Sequence, residues 1–73
     1  MTASETADAK KRLDEVVAAF RRAAGKAIDA AADPRTPASV VAETRHQATF
    51  GLAAVGAALK LALKAARPDD PAV

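Results

Sequence analysis

Five residues in the middle of the chain, Asp33-Pro34-Arg35-Thr36-Pro37, set most of what it can fold into. Pro34 lacks a backbone donor and holds Asp33 in extended geometry, so a helix arriving from the N-terminal side has to stop near Ala32. Thr36 followed by Pro37 reads as an N-cap with proline at the first helical position, the start of a second helix. On either side of this break the apolar residues recur at helical spacing and no strand pattern is present. Thr2, Ala3, Ser4 and Glu5 have the form of a capping box, and Pro68 after Arg67 ends the second periodic stretch. The spacing predicts one helix over about 4–32, a loop at 33–36, a second helix over about 37–67, and a disordered tail at 68–73. A connection this short makes the two helices antiparallel neighbours. The fold class expected is therefore all-α: an antiparallel two-helix hairpin.

Each stretch has an apolar line that alternates spacings of four and three, as in heptad packing. In the first it runs through Leu13, Val17, Phe20, Ala24, Ala27 and Ala31, flanked by Val16 and Ile28. In the second it runs through Val41, Ala48, Leu52, Val55, Leu59, Ala62 and Ala66. Folding about Pro34 sets Leu52, Val55 and Leu59 near Val17, Leu13 and Lys10. The expected hairpin core is thus Leu13, Val17, Phe20, Leu52, Val55 and Leu59. Opposite charges four residues apart, such as Asp8 with Arg12 and Lys11 with Glu15, describe a solvated outer face.

A second apolar line, Phe50, Ala54, Ala57 and Leu61, falls on another side of the second helix. One partner helix cannot cover both lines. Size points the same way, because 22 of the 73 residues are alanine and only thirteen larger apolar residues lie between the termini. Domains this small usually gain disulfides, a metal or another subunit, and the chain has no cysteine. The expectation is a homo-oligomer, a dimeric four-helix bundle or larger, with Phe50, Ala54, Ala57 and Leu61 at its interface.

Catalytic patterns are absent from the sequence, and neither an enzyme activity nor a cofactor is expected. Serine is confined to Ser4 and Ser39. Gly25, Gly51 and Gly56 are scattered within helices, where close packing or a slight bend explains them better than a phosphate cradle does. Glu43 and His46 have the Glu-x-x-His spacing that di-iron bundles use, but the facing stretch of the first helix offers Lys26 and Gly25 where a third ligand is needed. His46 as a phosphoacceptor lacks any matching surrounding pattern.

The function expected is that of a small non-enzymatic interaction protein, an assembly or regulatory adaptor with a protein partner. Two alternatives use its cations. Nucleic acid could be met by Arg22 and Lys26, although acids interrupt that set and only two aromatic residues are available for stacking. An anionic membrane surface could be met by an amphipathic second helix carrying Lys60 and Lys64. The twelve residues between Gln47 and Lys60 are short of a span of about twenty. No apolar leader segment opens the chain, so a cytoplasmic location is expected, and the alanine load suits a bacterial origin.

Overall fold

The structure is a computed structural model that describes residues 3–67. Two helices, α1 (Ala3–Ala32) and α2 (Ala38–Ala66), pack against each other as a hairpin. The molecule measures 52 × 21 × 13 Å, so it is a slab one helix thick. The box expected at Thr2 and the tail expected at 68–73 lie outside the described residues.

The turn is built by Asp33. Its backbone carbonyl accepts from the Thr36 N–H at 3.0 Å, and its carboxylate Oδ1 accepts from the Arg35 N–H at 2.9 Å. The Arg35 guanidinium then closes on both carboxylate oxygens at 3.1 Å. This charge-assisted clamp holds the Asp33 carboxyl below its ordinary value, with the Arg35 side chain as the larger cause and its backbone N–H as the smaller. The second helix begins one residue later than the Thr36 reading implied. Pro37 is its N-cap, in extended geometry at ψ 145°, and no side chain caps the helix. The Pro37 carbonyl accepts instead from Val40 and Val41. At the other end the Arg67 N–H donates to the Leu63 carbonyl at 2.9 Å.

The line along which the helices meet differs from the expected one in a regular way. The less exposed residues of α1 include the line Thr6, Ala9, Leu13, Val16, Phe20, Ala23, Ala27 and Ala30, with Val17, Ala24 and Gly25 half-buried as well. Those of α2 are Val41, Thr44, Ala48, Gly51, Val55, Ala58, Ala62 and Ala65. Both alternate three and four throughout, which defines heptad positions a (Leu13, Phe20, Val55) and d (Val16, Gly51, Ala58). The a positions are those expected. At d, the expected line took the neighbouring residue each time: Leu52 for Gly51, Leu59 for Ala58, Ala66 for Ala65. Val17 and Ala24 stay half-buried beside the contact line, whereas Ala31, Leu52 and Leu59 lie outside it.

Gly51 explains the choice. A Cβ placed on it would lie 3.3 Å from Phe20 Cα and 3.5 Å from Phe20 Cβ and Cδ1, so the α1 backbone passes directly over this glycine. A leucine in that slot would hold the two helices apart and open gaps along the whole contact. Ranking residues by hydrophobicity selects the leucines; close approach selects the small neighbours. Gly25 and Gly56 have nothing within 4 Å of a built Cβ and play no such part. Thr44 is accommodated in the apolar contact because its hydroxyl donates to the carbonyls of Val40 and Val41 within its own helix.

Candidate interaction surfaces

The contact is thin. Ala58, at 7% exposure, is the only buried residue among those described. The chain exposes 5551 Å², against about 4,200 Å² for a folded monomer of 7.4 kDa. Large side chains remain open: Phe50 is 72% exposed, Ile28 67%, Leu61 63%, Leu52 55%, Leu63 50% and Leu59 45%.

These exposed residues divide between the two broad faces of the slab. Heptad positions c and g lie on one side of each contact line and b and e on the other. In an antiparallel pair, the same side of both helices forms the same face. On the c/g face, α2 contributes Phe50, Ala54, Ala57 and Leu61, the line singled out in the sequence. Ala54, Ala57, Ala58 and Leu61 wall a groove of about 450 Å³ whose far side is Asp8, Ala9, Arg12 and Val16 of α1. Phe50 continues the line beyond the groove, with the His46 ring tilted against it at a centroid distance of 6.2 Å. The small alanines make the groove and the two large residues flank it.

Charge on the c/g face is mixed. Glu5, Asp8, Glu15, Asp29 and Glu43 alternate with Arg12, Arg22, Lys26 and Lys64. Arg12 reaches Glu15 at 3.8 Å, a largely exposed pair of little energetic weight. Arg22 and Lys26 are therefore set among acids, which gives no uniform track for a phosphate backbone.

The b/e face is different and was not distinguished in the sequence. It carries Leu52, Leu59 and Leu63 from α2 with Val17, Ala24 and Ile28 from α1. Its charged residues are Lys10, Arg21 and Arg45, all exposed, and the single acid Asp14. Assigning Leu52 and Leu59 to the hairpin core hid this surface; the one-position shift at d exposes it. Lys60 and Lys64 do not belong to it, because Lys60 points away from α1 at position f and Lys64 falls on the c/g side.

Among the described residues no three His, Asp or Glu side chains gather as a metal would require; Glu43 and His46, three apart on α2, are neighbours on its surface with no third such group beside them. By length and composition alone α2 could cross a membrane, with a mean hydropathy of 1.4 over its most apolar eighteen-residue window. The twelve-residue count between Gln47 and Lys60 understated this apolar length. Every window of that length includes Arg45 or Lys60, and in 45–62 both lie near the ends, where long basic side chains reach the interface. No protein-family model matches the chain, and no curated protein or solved structure matches it.

Proposed function

We propose that the protein is a non-enzymatic helical interaction protein that works as a homo-oligomer. In this reading its subunits pair across the c/g face into a four-helix bundle or a larger assembly. The observation that carries the proposal is the surface left open by the hairpin. Phe50, Leu61 and the groove beside them are left uncovered by the hairpin, and contiguous apolar surface of this kind is what a second subunit buries. The c/g face suits a second copy for two further reasons. Its groove accepts large side chains, and Phe50 and Leu61 beside it are large. Its five acids and four cations can pair with the same set on a two-fold-related chain, as an isologous interface requires. Acting in the cytoplasm as an adaptor for a further protein partner belongs to the same reading.

The test is the mass of the purified chain by light scattering, followed by the Phe50→Glu/Leu61→Glu variant. The wild type is expected as a dimer or larger and the variant as a monomer or an unfolded chain. A wild type that is monomeric, monodisperse and cooperatively folded would overturn the proposal.

A further inference from the structure

We infer that the b/e face docks onto an anionic lipid bilayer. Three observations converge on that partner. First, Ile28, Leu52, Leu59 and Leu63 protrude from a flat slab and are each 45–67% exposed. Such residues bury readily in the boundary between headgroups and acyl chains. Second, the charges around them are Lys10, Arg21 and Arg45 with only Asp14 opposed, whereas five acids sit on the other face. Juxtamembrane cations of this kind are drawn to acidic headgroups.

Third, the same charges argue against a second copy here. Two b/e faces brought together would set six cations against two aspartates, and like charges across an interface are costly. An acidic surface resolves both the apolar and the ionic imbalance at once. The hairpin then lies flat, with α1 and α2 both parallel to the bilayer and the c/g face turned away from it. Lys60 projects from the slab edge and makes no essential lipid contact.

The experiment is flotation of the full chain with vesicles of phosphatidylglycerol and, separately, of phosphatidylcholine. Binding is expected to phosphatidylglycerol and to be at least about tenfold weaker to phosphatidylcholine. Neutralising Lys10, Arg21 or Arg45 singly should weaken it about fivefold each. Leu59→Glu/Leu63→Glu should abolish binding while helicity by circular dichroism and mass by light scattering are retained. Phe50→Glu/Leu61→Glu, in contrast, should alter mass and leave vesicle binding within a few-fold at equal helicity.

A dimer joined through its c/g faces carries two b/e faces on opposite sides, so the wild type should also cluster vesicles. Binding without clustering would count against that dimer and leave the lipid face standing. Four results with vesicles would overturn the inference. These are no flotation, equal binding to both lipids, persistence of binding in Leu59→Glu/Leu63→Glu, and resistance to alkaline extraction, which marks a spanning helix. Preference for an acidic helical peptide over phosphatidylglycerol would replace the lipid by a protein partner.

Discussion

Both broad faces of this slab expose large apolar residues, more of them on the b/e face, and the two differ in shape and in charge. On the c/g face alanines alternate with Phe50 and Leu61, and acids alternate with bases. On the b/e face leucines stand in a row and the charge is almost all of one sign. A surface that is concave and ionically balanced can meet its own copy. One that is flat, leucine-rich and cationic repels its copy and attracts an acidic layer. Apolar exposure alone would assign both faces to self-association; the arrangement of charge separates them.

The sharpest way to break the comparison is to place glutamate on each face in turn. Phe50→Glu/Leu61→Glu should weaken subunit association by at least about a hundredfold, a cost in the range of truncated interface anchors. Leu52→Glu/Leu59→Glu should leave association within about threefold, measured by sedimentation at several concentrations. Equal effects from the two variants would erase the distinction.

Gly51→Val attacks what the faces share. A branched side chain pressed on Phe20 should cost the hairpin about 1–3 kcal/mol in urea unfolding at fixed protein concentration. Gly56→Ala should act in the opposite sense, raising stability by about 1 kcal/mol, since its Cβ meets open space. Gly51→Ala should fall short of that gain because its neighbour has to yield.

The smallest effect is expected at the turn. Asp33 has a carboxyl held below its ordinary value, so its contribution is present above about pH 4 and fades as pH falls through the lowered value. Asp33→Asn should therefore lower the melting midpoint slightly at neutral pH, and the gap from wild type should close in acid. A gap that is constant with pH would show that the carboxylate clamp contributes nothing.

Much of the architecture was legible because it rests on local chemistry. Pro34 and Pro37 interrupt any helix whatever surrounds them, and a short connection leaves few ways to place two long helices. The contact line was legible at a positions, where Leu13, Phe20 and Val55 are apolar with no competing neighbour. At d it was not, since Gly51 and Ala58 sit beside Leu52 and Leu59 in the sequence. The choice depends on how near α1 can come, which is a property of the pair of helices and not of either one. The c/g line was visible because Phe50 and Leu61 could not share a partner with Val55. The b/e face was invisible for the same reason that d was misplaced: two of its leucines, Leu52 and Leu59, had been assigned to the core.

The contact between Gly51 and Phe20 also governs how far one helix can slide along the other. Layers of alanine are nearly interchangeable, so moving α2 by seven residues would leave most of the contact looking the same. It would bring Thr44 or Ala58 over Phe20, each with a Cβ that the α1 backbone meets tightly and has to yield to. A single glycine opposite a single large ring therefore favours one alignment of an otherwise repetitive hairpin. With the alignment fixed, Leu52, Leu59 and Leu63 stay in a row on one side of the slab, and the groove beside Leu61 stays on the other.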